Sequence, residues 1–328
     1  MPRLLIVKTS SLGDIVHNLP AVTDIHRQFP EMQIDWAVED GFAEIPRLHP
    51  AISEVIPVSL RRWRRGLLTA RTWKEIAACK QHLQDRHYDL VLDSQGLLKS
   101  VLIASWAKGP MHGYSMGSGR EPLPALFYRH RHKVLWEQQA VVRIRKLAAL
   151  ALGYPLPETP PDYGIEIPSE MLPIALSSQY VVALHGTSRD SKLWPIEHWT
   201  ALGKILAEHG LVLVLPWGNV GEQQRAQHIA TQVPEALVLP KLGLRQLANV
   251  LGHAVAAIGV DTGLVHLAAA LKTPTVAIYT DTDPALTGVL GTHSSLFRNL
   301  GGIGKVPSPV EALSALNTLK PDLYLPIS

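Results

Sequence analysis

The chain has 328 residues, 46% hydrophobic and 18% charged, which is normal for a soluble α/β protein and long enough for two domains with separate cores. A single cysteine, Cys79, excludes an internal disulfide and a multi-cysteine zinc site. The apolar runs are too short for a transmembrane helix or a secretory core, so the expected compartment is the cytoplasm. The net charge of +3 is unevenly spread: residues 1–160 hold 21 Lys and Arg against 15 Asp and Glu, while residues 161–328 hold 10 against 13. The first half is therefore the one suited to an acidic partner.

In chain order, short apolar runs alternating with helical patterns predict strands near 3–8, 33–38, 54–58 and 88–93, and helices near 14–28, 70–86, 97–107 and 137–152. "YPLPETPPDYGIEIP" (154–168) has five prolines and no period, and reads as a linker. The alternation then resumes with strands near 180–185, 211–215, 236–239, 254–259 and 274–279. Helices are expected near 196–209, 221–232, 244–252 and 263–271, with a short last one at about 308–320. Repeated βα units imply mostly parallel sheets. The expected architecture is two doubly wound, Rossmann-like domains, 1–160 and 161–328, facing a cleft. No GxGxxG follows any predicted strand, which weighs against a nicotinamide or flavin enzyme. No histidine pair or carboxylate cluster has convincing metal spacing, and "DTDP" (281–284) reads as a capped turn rather than a metal motif.

Chemistry is expected where strands end. After the first strand comes "KTSSLGDIVHNLP" (8–20), with one glycine and, beside it, Asp14. Two roles stand open for Asp14: a first-turn acid serving the helix dipole, or a general base facing the cleft, with His17 one turn further along the same face. In "VVALHGTSRDSKLWP" (181–195), Thr187 and Ser188 offer hydroxyls and Lys192 a movable cation, a set that suits a diphosphate. In "VAAIGVDTGLVHLAAAL" (255–271), Asp261, Thr262 and Gly263 open a helix whose N–H groups suit a phosphate oxygen, with His266 on its first turn. Glu222, at the helix start after "VLPWG", has the character of a carboxylate for a ribose diol, or of a first-turn acid. "RRWRR" (61–65) concentrates arginines around Trp63, and Arg120 adds a cation; such arginines suit an acidic ligand.

The stretches KTSSLGD, HNLPAVTD, IDWAVEDGFAEIP, RRWRR, DSQGLLKS, GREPLPALFY, LHGTSRDSKLWP, LPWG and VDTGLVHLAAAL occur in that order over about residues 3–285. Together they resemble the lipopolysaccharide heptosyltransferases, inverting glycosyltransferases of the GT-B fold. The Lys-Thr-Ser-Ser lead-in before Gly-Asp is closer to the first heptosyltransferase than to the second. The resemblance implies transfer of L-glycero-D-manno-heptose from ADP-heptose to the Kdo of Kdo2-lipid A in lipopolysaccharide inner-core biosynthesis. The basic first half suits peripheral association with the cytoplasmic face of the inner membrane, and a nucleic-acid partner is not expected because it would leave the strand-end sites unexplained. By the same resemblance, Asp14 is the catalytic base, Lys192, Asp261, Thr262 and Gly263 hold the donor diphosphate, and Thr187 and Ser188 form the preceding hydroxyl pair. Glu222 is then the ribose acid, and Arg61, Arg64 and Arg120 are acceptor-side cations. No cofactor is required, and a divalent metal is not implied. The alternatives are a second heptosyltransferase, another sugar-nucleotide glycosyltransferase, or a sugar-nucleotide epimerase on the same architecture.

Overall fold

Residues 4–7 are all apolar and wholly buried, as a strand with neighbours on both sides and helices on both faces requires. They belong to the first of two units, Met1–Gly164 and Ile165–Ser328, in a computed structural model that describes residues 1–177, 179–323 and 325. The division falls within the proline-rich segment 154–168, which carries no helix or strand.

The first unit runs β1 (Arg3–Val7), α1 (Leu12–Gln28), β2 (Gln33–Glu39), β3 (Ile52–Val58), α2 (Leu60–Arg65), α3 (Ala70–Gln84), β4 (Leu90–Asp93), α4 (Leu98–Ala104), β5 (Met111–Tyr114), β6 (His130–His132) and α5 (Ala140–Leu152). Its strands form one parallel sheet in the order β3-β2-β1-β4-β5-β6. The chain winds outward from β1 in one direction and then from β4 in the other. The carboxyl ends of β1 and β4 therefore flank the switch point where doubly wound sheets take their ligands. Helices α1 and α5 pack together and share a buried ion pair: the Arg145 guanidinium donates to both Asp24 carboxylate oxygens at 2.6 and 3.2 Å. Arg145 also donates to the carbonyls of Thr159 and Pro157, fastening the start of the linker.

The second unit runs β7 (Tyr180–Leu184), α6 (Ile196–Glu208), β8 (Val212–Leu215), α7 (Val220–Ala230), β9 (Leu237–Val238), α8 (Leu244–Gly252), β10 (Ala256–Val260), α9 (Gly263–Ala270), β11 (Thr275–Tyr279), α10 (Pro284–Thr287), β12 (Phe297–Gly301) and α11 (Pro309–Leu319). Its sheet, also parallel, has the order β12-β11-β10-β7-β8-β9 and a switch point between β7 and β10. Trp194 and Trp199 meet edge to face at 4.9 Å in its core, and the Trp194 indole donates to the Pro307 carbonyl, tying the α6 entry to the approach to α11.

Three strands and two helices go beyond the expected pattern. β5, β6 and β12 are short, and the residues of β6, His-Arg-His, show no apolar alternation because β6 is a sheet edge. The arginine run "RRWRR" is helical, as α2. It turns Trp63 inward against Tyr88, Ile103 and Trp106, so Trp63 is core rather than a ligand surface. In "DTDP", the Asp283 side chain accepts from the Ala285 N–H and caps α10.

Candidate active site

In the first unit the site is the turn between β1 and α1. This turn is fastened by the loop after β4, some 85 residues away in sequence. Gln95 Oε1 accepts from the N–H groups of Thr9 and Ser10, and the buried Lys8 ammonium donates to the Ser94 carbonyl. Lys99 Nζ donates to Ser10 Oγ at 2.6 Å. The β4 loop is itself fixed by the wholly buried Asp93, which accepts from the N–H groups of Gln95 and Gly96 and from the hydroxyls of Ser100 and Tyr128. Gly96 has φ +67°, and a Cβ there would lie 3.1 Å from the Tyr114 ring, so this corner requires glycine. Burial pushes the Asp93 carboxyl above its ordinary value, against the hydrogen bonds that pull it down.

Asp14 is the third residue of α1. Its Oδ2 accepts from the Ser11 N–H at 2.8 Å and the Ser11 hydroxyl at 3.0 Å. Asp14 thus serves the helix terminus, as a first-turn acid should. Burial alone raises its carboxyl; Lys8, His17 and the two bonds from Ser11 outweigh that and hold it below the ordinary carboxylate value. The group is an anion set among cations, a state that can accept a proton from a hydroxyl. His17 is buried within electrostatic range of Asp14. Arg61 and Asp14 both act on the Lys99 ammonium, which burial lowers from its ordinary value. A groove of about 590 Å³ between the β2–β3 connection and α2 is lined by Glu39, Phe42, Ser59, Arg61, Arg62 and Arg65. Arg61 crosses the Phe42 ring at 5.6 Å, and its N–H donates to Glu39. Arg64 is exposed and does not line this groove. Arg120 is exposed on the loop whose Glu121 accepts from the Leu98 N–H at the start of α4.

Four groups around Asp14 escape sequence reading: Lys8, Lys99, Asp93 and Arg143. Arg143 lies 3.9 Å over the Trp136 ring, and its guanidinium is within range of Asp14. A lysine closing a buried strand was the one signal available for Lys8; the others depend on long-range pairing.

In the second unit, the predicted residues collect at the carboxyl ends of β7, β8 and β10. Lys192 Nζ is 2.6 Å from Asp261 Oδ2, which also accepts from the Thr282 hydroxyl at 2.7 Å. Thr187 Oγ1 donates to the Asp261 carbonyl, joining the β7 loop to the β10 loop. Thr262 precedes α9 without a side-chain capping bond and Gly263 begins it, so the first N–H groups of α9 lie beside Lys192's partner. His266 is buried, with Nε2 4.0 Å from Asp261 Oδ1. Ser188 is exposed on the same loop. Glu222 reaches back to accept from the Gly218 N–H at 2.7 Å, and its carboxyl lies where a Cβ on Gly186 would come within 2.8 Å. A side chain at Gly186 would have to displace the Glu222 carboxyl from this position. Among the described residues, no group of three or more His, Cys, Asp or Glu is placed to hold a metal ion.

The chain matches glycosyltransferase family 9 (heptosyltransferase) over residues 76–308. It is 47% identical over 290 residues to lipopolysaccharide heptosyltransferase 1 of Pseudomonas aeruginosa, covering 88% of this chain and 81% of that protein. It superposes on the E. coli heptosyltransferase WaaC solved with ADP at a TM-score of 0.87 and 41% identity, over 98% of this chain and 99% of that one. The same enzyme solved with ADP-2-deoxy-2-fluoro heptose gives 0.83 and 40%, with the same coverage. The two Rossmann-like units are those of the GT-B architecture.

Proposed function

From the premise that this chain belongs to glycosyltransferase family 9, the heptosyltransferases, we propose that it transfers heptose from ADP-heptose to the Kdo of Kdo2-lipid A, with Asp14 as base. The observation that carries the assignment of the base is the Asp14 carboxylate itself, held ionised at the switch point of the first sheet by Lys8, His17 and Ser11.

Asp14 takes the proton of the acceptor hydroxyl as its oxygen attacks the anomeric carbon. The C–O bond to the diphosphate breaks on the opposite face, so configuration inverts and the bonding pair leaves with ADP. A positioned base of this kind contributes about 10²–10⁴-fold. Lys192 and the first N–H groups of α9 meet the negative charge that develops on the leaving diphosphate. Asp261 holds Lys192 in place between substrates, while Thr187, Ser188 and His266 surround the same loop. Glu222, drawn toward Gly186, accepts from the ribose hydroxyls. Arg61, Arg64 and Arg120 are the cations for the acidic acceptor, to which Lys99 and Arg143 add charge from beside the base. No metal ion is required in this scheme.

A first rather than a second heptosyltransferase is favoured by the name of the 47% identical relative. An epimerase would leave the basic surface around Asp14 without a task. Incubation with ADP-heptose, with and without Kdo2-lipid A and in excess EDTA, tests the proposal. Acceptor-dependent ADP release that persists in EDTA is expected. ADP release indifferent to acceptor overturns the transferase reading, and loss in EDTA overturns the metal-free one.

A further inference from the structure

Large apolar side chains stand exposed on adjoining elements of the first unit. On α4, Leu98 and Leu102 are four residues apart and so share a face, each about half exposed (45% and 51%). The short 3-10 helix Leu123–Leu126 lies against α4. It presents Leu123, Leu126 and the following Phe127, which are 53%, 56% and 58% exposed. Proline 124, Ala125 and Tyr128 point inward, and the Tyr128 hydroxyl is anchored on Asp93, so the apolar residues are held outward by a fixed base. The Glu121 carboxylate bonded to the Leu98 N–H joins the two elements further. Contiguous exposed apolar residues of this kind mark an interaction surface.

The chain that leaves this patch is basic. Arg129, Arg131 and Lys133 are exposed along and beside β6, and from residue 122 to residue 136 there is no Asp or Glu. Apolar side chains rimmed by Lys and Arg fit the interface of a bilayer bearing anionic headgroups, where the first enter the acyl boundary and the second pair with phosphates. Among the described residues no helix is long and apolar enough to cross a membrane, so such contact would lie on the surface.

We propose that α4 and the Leu123–Leu126 turn, with the basic segment 129–133, form the face by which this protein docks on an anionic lipid surface. The position of α4 gives this face a purpose. Lys99, next to Leu98, reaches the turn that carries Asp14. A sugar projecting from a docked bilayer would therefore enter beside the base. This last point rests on the lipid-linked acceptor proposed above; the docking face itself does not.

Vesicle sedimentation tests it with the full chain, using phosphatidylcholine vesicles with and without phosphatidylglycerol. Two variants are needed, Leu126→Ser/Phe127→Ser and Arg129→Glu/Lys133→Glu, all at exposed positions, with thermal melting to confirm folding. The wild type should bind the anionic vesicles and release from them as salt rises, and each variant should bind about tenfold or more weakly. Turnover of a deacylated, water-soluble acceptor should be unchanged in both variants, while turnover of acceptor embedded in vesicles falls. Equal vesicle binding by folded variants and wild type overturns the proposal, as does a wild type that ignores anionic vesicles. A change from dimer to monomer in Leu126→Ser/Phe127→Ser with vesicle binding intact assigns the face to a second copy instead. A wild type that binds vesicles through this face yet turns over no acceptor defeats the functional reading and leaves the docking face standing.

Discussion

Replacing Lys192 with Ala should damage donor use twice over. The ammonium is 2.6 Å from Asp261 Oδ2, and the two side chains are only 13% and 10% exposed. Loss of a charge-assisted hydrogen bond to the leaving diphosphate costs about 1.5–3 kcal/mol, which is about 10–150-fold in kcat/KM. The substitution also strips Asp261 of its cation, leaving it the Thr282 hydroxyl and His266 at 4.0 Å. An uncompensated carboxylate about 5 Å from an incoming phosphate adds on the order of 3 kcal/mol of repulsion at an effective dielectric of about 20. Lys192→Ala should therefore lose about 10³–10⁴-fold in kcat/KM for ADP-heptose. Lys192→Ala/Asp261→Asn should recover about a hundredfold of this, because the repulsion goes with the charge. The assay is ADP release at limiting donor, with calorimetric ADP binding on the same preparations. A single variant within about threefold of wild type, or a double variant no better than the single, would refute the assignment of Lys192 to the diphosphate and of Asp261 to holding it.

The acceptor side and the scaffold give three more expectations. Arg61→Ala/Arg64→Ala should raise the acceptor KM by about tenfold or more and leave the donor KM near wild type; an effect confined to the donor would move the acceptor site elsewhere. Asp24→Ala leaves the Arg145 guanidinium buried without its carboxylate. It should cost about 3 kcal/mol or more in urea denaturation, and a loss under about 1 kcal/mol would contradict the pairing. His49 is held neutral: its Nδ1 accepts from the Ala51 N–H, its Nε2 meets the Thr23 hydroxyl, and burial, aided by His26, pulls it from 6.5 to about 4. Between those values the unfolded chain takes a proton that the native one refuses. Stability is therefore full above about pH 6.5 and declines as pH falls toward 4, and His49→Gln should flatten the decline in urea midpoints.

The strand ends were legible because buried parallel strands read as apolar runs and the residues after them are small or polar. Asp261-Thr262-Gly263 after β10 is such a case, and α8 spans 244–252 as its helical period suggests. The strands β5, β6 and β12 were not legible: β5 is only the four residues Met-His-Gly-Tyr, and β6 and β12 are sheet edges, which need no apolar run. "RRWRR" misled in a specific way: four arginines mask the one residue, Trp63, that fixes how α2 faces the core. Around Asp14, the turn was legible but its surroundings were not. Lys99 and Gln95 meet it across 85 residues or more of chain, and only the adjacency of β1 and β4 brings them there. The sequence also posed Asp14 as either a helix-terminal acid or a base, whereas the geometry gives it the first role outright and leaves its anion free to take the second.

Asp14→Asn tests the central claim most directly. The amide keeps an oxygen to accept from the Ser11 N–H and hydroxyl, and the lost charge at the helix terminus costs only about 0.3–1 kcal/mol, so the fold and donor binding should survive. The measurement is kcat for acceptor-dependent ADP release beside the Kd for ADP-heptose on the same protein. A fall in kcat of about 10²–10⁴-fold with Kd unchanged is expected. A kcat within about tenfold of wild type, with Kd unchanged, would contradict a base at Asp14.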